Sequence, residues 1–172
     1  AAAGSDLVGT SKVLAAAISA ESPDLVLFGQ QASDGDGAVM WAAVAERLQL
    51  PVVSQISELT VADGKVTAKR QTEFGYDTIE APLPAVLAVS DALNEPRFPS
   101  LKGIMGAKKK PQDVKSLGDI GVDAGDVGEA GSRTAVAALN PPPSRGDTLK
   151  IEDEAGSSAQ KILDFLVERK LV

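Results

Sequence analysis

The stretch at residues 23–48, PDLVLFGQQASDGDGAVMWAAVAERL, decides the fold. It opens on an uninterrupted apolar run at residues 25–28, which is typical of a strand that is covered on both faces. A loop with three glycines follows at residues 29–37. Apolar residues then recur at spacings of one, three and four over residues 40–48, which predicts a helix with one apolar face. The predicted order is therefore strand, glycine-rich loop and helix.

The loop has two chemical interpretations. Unpaired N–H groups at the start of a helix sit at the positive end of its dipole, and glycines let a phosphate approach them, so one interpretation is a nucleotide site. The other is an ordinary turn in which Asp34 or Asp36 caps the helix. Residue types alone favour the turn, because neither G-x-G-x-x-G nor G-x-x-x-x-G-K-[ST] is present. A calcium loop is excluded, since Ala38 stands at the next ligand position.

Composition and charge exclude several classes of function. The 172 residues, 44% of them hydrophobic, suit one compact domain with room for an appendage. Neither cysteine nor histidine is present, which excludes disulfides, thiolate and histidine chemistry and Cys/His zinc sites, so we predict no catalytic residue and no metal site. The formal charge of -7 argues against nucleic acid as a partner. Without a long apolar stretch or a secretory signal, we expect a soluble intracellular protein that does not span a membrane.

The segments around the organising stretch complete a sheet. Residues 5–20 predict a helix with Ser5 as its N-cap. Asp63 and Gly64 give a strong hairpin signal between strands at 52–61 and 66–70, and a further strand is predicted at 73–80. The run AVLAV at 85–89 suits the centre of a sheet. We predict an α/β fold, a Rossmann-like and mostly parallel sheet with helices on both faces and a β-ribbon.

The chain changes character after residue 110. We predict an α/β domain at 1–110 and an extended C-terminal arm at 111–172, because the arm is rich in glycine, proline and acidic residues. The arm ends in a helix predicted at 157–171. Its apolar face requires cover, either from its own domain or from a second subunit, so the arm is predicted to dock on a partner.

Residues 90–110 form a second candidate functional segment. Phe98, Leu101 and Ile104 are apolar, and Arg97 and three lysines at 108–110 supply positive charge. One interpretation is a docking surface with apolar anchors, steered toward an acidic partner by its cations. The other is that the apolar side chains tuck under their own domain while the lysines form a solvated face. Residue types favour neither.

These segments resemble the electron transfer flavoprotein beta subunit. The resemblance rests on NEPRFPSLKGIM at 94–105 with AKKK at 107–110, and on DLVLFGQQA at 24–32 followed by Asp34. Arg70, LPAV at 83–86 and LGDIGV at 117–122 also have counterparts in the family. The likeness covers nearly the whole chain, although the family begins with a strand and helix layer that precedes the start of this chain. It implies that residues 1–110 are a nucleotide-binding domain, incomplete at its N-terminus.

The resemblance implies an electron carrier subunit rather than an enzyme. Its cofactors would be FAD, shared with an alpha subunit, and AMP, with a second FAD in place of AMP in some relatives. The implied partners are the alpha subunit, acyl-CoA dehydrogenases of fatty acid beta-oxidation and a membrane quinone oxidoreductase. The implied location is the bacterial cytoplasm or the mitochondrial matrix. Carried over by position, the docking residues are Leu101 as anchor with Arg97, Phe98 and Ile104. The cofactor-binding residues are Gly29, Gln30, Gln31, Ala32, Ser33, Asp34, Gly35, Asp36, Gly37, Ala38, Val39 and Met40.

The chain departs from the family pattern at two places. Ala38, Val39 and Met40 stand where some members place Asn, Gln and Thr against the phosphates, so backbone amides and Ser33 are the expected phosphate donors. Gln71 stands where some members have an acidic residue close to the flavin. Two rival hypotheses remain. One is a nucleotide-binding regulatory or scaffold domain without a redox role. The weaker one is a nucleotide-dependent enzyme of the same α/β build.

Overall fold

The computed structural model describes residues 2–144 and 156–172, which form two compact units divided after Ala135. The arm predicted at 111–172 thus falls partly on residues 145–155, outside the described part of the chain. The first unit contains α1 (Leu7–Glu21), β1 (Leu25–Gly29), α2 (Met40–Leu48), β2 (Val52–Ala62), β3 (Lys65–Thr72), β4 (Gly75–Pro82), β5 (Ala85–Val89), α3 (Leu101–Ala107) and α4 (Gly128–Gly131). Single 3₁₀ turns occupy Asp91–Leu93, Gly118–Ile120 and Ala124–Asp126.

The five strands form one mixed sheet in the order β1-β5-β2-β3-β4. β5 pairs in parallel with both β1 and β2, while β2, β3 and β4 form an antiparallel ribbon. The turn between β2 and β3 places Asp63 at φ 51° and Gly64 at φ 72°, the two positive dihedrals that the Asp-Gly pair predicts. The predicted α/β class, the parallel strands and the ribbon are confirmed.

β2 changes its partner along its length and bends at Gln55. Its first residues, Val52 and Val53, pair with β5, whereas residues from Ile56 to Ala62 pair with β3. The register with β5 shifts across Gln55, which has φ 54° and marks the bend.

The bend explains how the sheet is covered on its two faces. On one face, Val26 and Val86 pack against α2, and α1 lies against α2. On the other, Leu87 and Ala85 of β5 pack in one cluster with Val66 and Ala81 of the ribbon, and Leu93 of the first 3₁₀ turn packs against it. The folded ribbon and a 3₁₀ turn thus cover the second face.

β1 lies at the edge of the sheet. Its apolar run predicts a strand covered on both faces, but Leu27 is 56% exposed, so that prediction is wrong for this side chain. The reason is positional, because β5 is the neighbour of β1 on one side and no strand of the described residues pairs with its other side. β5, which has neighbours on both sides, is the fully covered strand.

Residues 117–135, called the returning segment below, follow α3 and pack against the rest of the first unit. Val122 and Val127 are buried, and the backbone N–H of Gly128 donates to Ser5 Oγ at 2.6 Å. The two compact units divide after residue 135, and the functional division predicted after residue 110 stays a prediction. Ser5 does not cap α1 as predicted, because its hydroxyl oxygen accepts from Gly128 and the neighbouring Asp6 takes the N-cap position.

The second unit contains α5 (Ser158–Glu168), the terminal helix expected from the sequence. Its apolar side chains remain partly exposed, namely those of Ile162, Leu163, Phe165 and Val167. Among the helices of the described residues, none combines the length and apolar character that a bilayer span requires.

Candidate functional site

A cavity of about 580 Å³ opens at the carboxyl end of β1, between the starts of α1 and α2. It brings together the predicted cofactor loop and the first turns of α1, two segments that are separate in sequence. Of the twelve cofactor-binding residues predicted above, all except Ser33 line this cavity. The residues that sequence reasoning did not assign to it are Ser5, Asp6, Leu7, Thr10, Leu14, Phe28 and Trp41.

The first amides of α2 have no side-chain cap. The N-cap residue is Val39, whose side chain has no acceptor, and Asp34 Oδ1 instead accepts from Gly35 N at 2.8 Å. The interpretation of the loop as a turn in which Asp34 or Asp36 caps the helix is therefore wrong. Ala38 adopts φ 47°, a conformation that a non-glycine residue rarely adopts and that is common where a loop is shaped around a ligand. The helix start is thus open toward the cavity that Val39 lines.

The cavity has an apolar wall and an acidic rim. Leu7, Leu14, Phe28, Met40 and Trp41 provide the apolar surface, and neither lysine nor arginine occurs among the described lining residues. The carboxylates are those of Asp6, Asp34 and Asp36. A flat apolar group such as a nucleobase fits this wall. The uncapped amides at the start of α2 attract a phosphate, whereas the three carboxylates of the lining repel it.

Gln30 connects the cavity to the bend of the ribbon. Its backbone carbonyl accepts from Trp41 Nε1 at 3.2 Å, and its side-chain Oε1 accepts from the backbone N–H of Gln55 at 3.1 Å. Gln55 is the residue at which β2 bends. Sequence reasoning assigned Gln30 to the cofactor alone, because a contact across twenty-five positions leaves no local signal.

Asp6 anchors the returning segment at the start of α1. Its carboxylate accepts from Gly9 N at 3.0 Å, Arg133 N at 2.7 Å and Thr134 N at 3.1 Å. The hydrogen bond from Gly9, followed by that from Arg133, lowers the pKa of Asp6 below its ordinary value of 3.8, while partial desolvation opposes the shift. The group ties α1, a wall of the cavity and residues 133–134 together.

Thr134 should report the titration of Asp6. The ionised Asp6 carboxylate stabilises the folded chain, because its pKa is lower in the folded state than the ordinary value of 3.8. This stabilisation is fully present above about pH 3.8 and is lost as the pH falls through the lower folded pKa. We expect the amide proton resonance of Thr134 to shift with a midpoint below 3.8 in an NMR titration from pH 6 to pH 2. In the variant Asp6→Asn the same resonance should show no such step. A midpoint at or above pH 3.8 would contradict the hydrogen bonds of the Asp6 carboxylate to residues 133–134.

The predicted docking residues lie on and before α3. Ser100 Oγ caps this helix by accepting from Gly103 N at 3.1 Å. Leu101 is 79% exposed and Phe98 is 98% exposed, and Ile104 is half exposed beside them. The alternative in which these side chains pack under their own domain is therefore wrong. The result is an apolar patch with positively charged neighbours, which is typical of a protein-binding surface.

The family of the chain follows from comparison with known proteins. Residues 1–119 match the family model described as "Electron transfer flavoprotein domain". The chain belongs to the electron transfer flavoprotein beta-subunit family. It is 41% identical over 170 residues to the electron transfer flavoprotein subunit beta of Mycobacterium tuberculosis, an alignment that covers 98% of this chain and 64% of the relative. The corresponding subunit of Mycobacterium leprae is 42% identical over the same shares.

A relative with a more specific name shows the range of this family. The chain is 36% identical over 167 residues to "Caffeyl-CoA reductase-Etf complex subunit CarD" of Acetobacterium woodii. This alignment covers 96% of the chain and 63% of that subunit. The chain thus spans a little under two thirds of the length of these relatives. The two main segments that carried the resemblance, residues 24–34 and 94–110, lie within the matched residues 1–119.

Proposed function

We propose that the chain acts as a beta subunit of an electron transfer flavoprotein. In this role it holds FAD jointly with an alpha subunit and relays electrons from acyl-CoA and other dehydrogenases toward a membrane quinone reductase. The family membership is the observation that carries the proposal. Electron relay requires proximity and a tuned cofactor environment rather than an acid–base pair, which fits a chain that has no histidine or cysteine.

Arg70, one of the residues that carry the family resemblance, lies on the ribbon and is only partly hydrogen-bonded. Arg70 Nη2 bonds to Asp77 Oδ2 at 2.9 Å, but Arg70 Nε is buried and has no hydrogen-bond partner among the described residues. A buried donor without an acceptor is costly and therefore rare in a complete structure. Gln71 follows directly, at the position where some family members have an acidic residue close to the flavin.

Flavin content separates this proposal from the regulatory alternative. We expect the chain, co-expressed with its alpha subunit, to purify as a yellow complex with one FAD per heterodimer, whose absorbance bleaches on addition of a dehydrogenase and its substrate. A stable complex that contains no flavin would favour the regulatory or scaffold domain and overturn the redox role.

The cavity beside β1 is the proposed site of AMP. Its volume lies within the range of small-molecule sites, and its apolar wall suits the base, while the α2 amides take the phosphate. Heat denaturation of the purified complex should release one AMP per chain into the supernatant, measured by chromatography. Release of a second FAD would assign the cavity to the alternative cofactor, and release of neither nucleotide would overturn the site.

A carboxylate placed at the start of α2 should expel the nucleotide without harming the fold. Aspartate is a good N-cap, so Val39→Asp should keep or raise the stability of α2, while its charge and its bonds to the first amides compete with a phosphate. We expect AMP content to fall by at least tenfold, since loss of a charge-assisted contact costs about 1.5–3 kcal/mol. Val39→Ala, which adds neither charge nor cap, is the matched control and should retain AMP. Equal AMP content in both variants would contradict the phosphate position.

Leu101 is the proposed anchor for the electron-donating dehydrogenase. Because most of the Leu101 side chain is exposed in the described structure, Leu101→Ala should leave folding and FAD content unchanged. We expect the concentration of flavoprotein required for half-maximal electron transfer to rise by about tenfold, the effect of losing an interface anchor. Val61→Ala, an exposed apolar residue on the ribbon, is the control and should transfer electrons normally. Unaltered transfer kinetics in the Leu101 variant would count against the docking role.

A further inference from the structure

A second cleft, of about 230 Å³, lies between α1, the end of α2 and the returning segment. It shares no lining residue with the cavity beside β1. Its lining is mostly polar and includes three basic side chains, although the net charge of the chain is negative. The lining residues are Val8, Lys12, Arg47, Gly125, Asp126, Gly131 and Arg133.

The charges of this cleft do not cancel. Lys12 forms an ion pair with Asp126, which compensates both groups. Arg47 and Arg133 form no ion pair with any described residue, so they add two positive charges to the cleft within a chain of formal charge -7. Like charges that line one small concave space repel each other, and an oxyanion between them removes the repulsion.

Arg47 is held in place by the helix that it faces. Its Nε donates to Ser11 Oγ at 2.9 Å, and its Nη2 donates to the carbonyl of Val8 at 3.1 Å. Ser11 is only 1% exposed, so the anchor itself is part of the buried helix interface. A guanidinium has five N–H donors in a fixed plane, and these two bonds leave donors on its other edge for a ligand. Arg47 therefore presents its charge in one orientation, at little entropic cost.

The opposite wall is built from backbone. A side chain at Gly131 would overlap the carbonyl group of Asp126, so two segments of main chain lie in close contact there. The backbone N–H of Arg133 is fixed by Asp6, as described above, whereas its side chain is exposed and makes no ion pair among the described residues. The backbone of Arg133 is thus held in place while its guanidinium is exposed, so this side chain is able to move over an anion in the cleft.

We propose that this cleft binds a phosphate group, with Arg47 as the fixed guanidinium and Arg133 as the closing one. Phosphate is favoured over a single carboxylate because it carries more charge and more acceptor oxygens for two arginines that approach from different segments. The phosphate group would come either from inorganic phosphate or from a phosphate ester. The site is independent of the proposed nucleotide cavity.

NMR titration of the full chain tests the site directly. Inorganic phosphate, added at constant ionic strength against chloride, should shift the amide resonances of Gly125 and Gly131 in a saturable manner. Arg133→Ala should weaken this binding by about tenfold or more, the effect of losing one charge-assisted contact. Its backbone bond to Asp6 is retained, so the fold is preserved. Lys65→Ala removes an exposed cation of the ribbon that lines neither cavity, and this variant should bind phosphate like the unmodified chain.

Titrations with other anions identify the chemical group that the cleft binds. Tighter saturation with a phosphate monoester than with inorganic phosphate supports the site and assigns the source to an ester, and the reverse order supports the free ion. Saturation by acetate at equal concentration would overturn the phosphate assignment in favour of a carboxylate. Equal binding by Arg133→Ala, or shifts confined to Gly35 and Gly37 of the other cavity, would overturn the site. Because the two cavities are read by different resonances, failure here leaves the nucleotide proposal unaffected.

Discussion

Replacing Leu87 by alanine is expected to lower the free energy of unfolding by about 2–5 kcal/mol. Leu87 is fully buried in β5, the strand that pairs with a neighbour on each side, and it packs in one cluster with Ile56 and Val66 of the ribbon. Removal of its branched end leaves a cavity where the folded ribbon meets the parallel strands. Neither side relaxes freely, because the bend at Gln55 fixes the ribbon. The total free energy of unfolding of a native protein is about 5–15 kcal/mol, so this loss is a large part of it.

Leu27 provides the matched control for Leu87. The two residues are register partners on adjacent parallel strands, yet Leu27 is largely exposed at the sheet edge. We expect Leu27→Ala to change the free energy of unfolding by less than about 1 kcal/mol. Urea denaturation followed by circular dichroism, with equal m-values in both variants, measures the difference. Equal losses in the two variants would mean that the edge of β1 is covered in solution.

The strands were predictable wherever a local pattern is sufficient. The apolar runs that became β1 and β5, the Asp63–Gly64 turn and the helix after the cavity loop all follow from residue type and spacing over fewer than twelve positions. The class of fold follows from their order. The apolar run at residues 25–28 does not indicate which strands will lie beside it in the sheet. The exposure of Leu27 depends on these spatial neighbours.

Features that depend on distant contacts were not predictable. The returning segment looks like a linker, with its glycines and aspartates, yet it packs because Ser5 and Asp6 bond to residues more than one hundred and twenty positions away. The same holds for the candidate site. The loop of the cavity was identified from the sequence, but its other wall comes from α1, and the phosphate cleft comes from three segments that no motif connects.

Gly131→Ala is expected to detach the returning segment while leaving the sheet intact. The added Cβ would overlap the carbonyl carbon and oxygen of Asp126, which are backbone atoms and move only if the whole turn moves. Overpacking of this kind costs about 1–3 kcal/mol, and the upper end applies because no flexible side chain is available to give way. Val127, which is almost fully buried, would then lose its position against the core.

The location of the damage distinguishes this prediction from general destabilisation. Amide hydrogen exchange should accelerate at residues 122–134, where protection depends on the docked turn, and should remain slow in β5. Gly106→Ala is the matched control, because a Cβ at Gly106 in α3 has open space around it and alanine favours a helix over glycine by about 1 kcal/mol. That variant should show unchanged exchange outside α3. Uniformly faster exchange across the sheet in Gly131→Ala would mean that the returning segment is an integral part of the core rather than a separately opening layer on it.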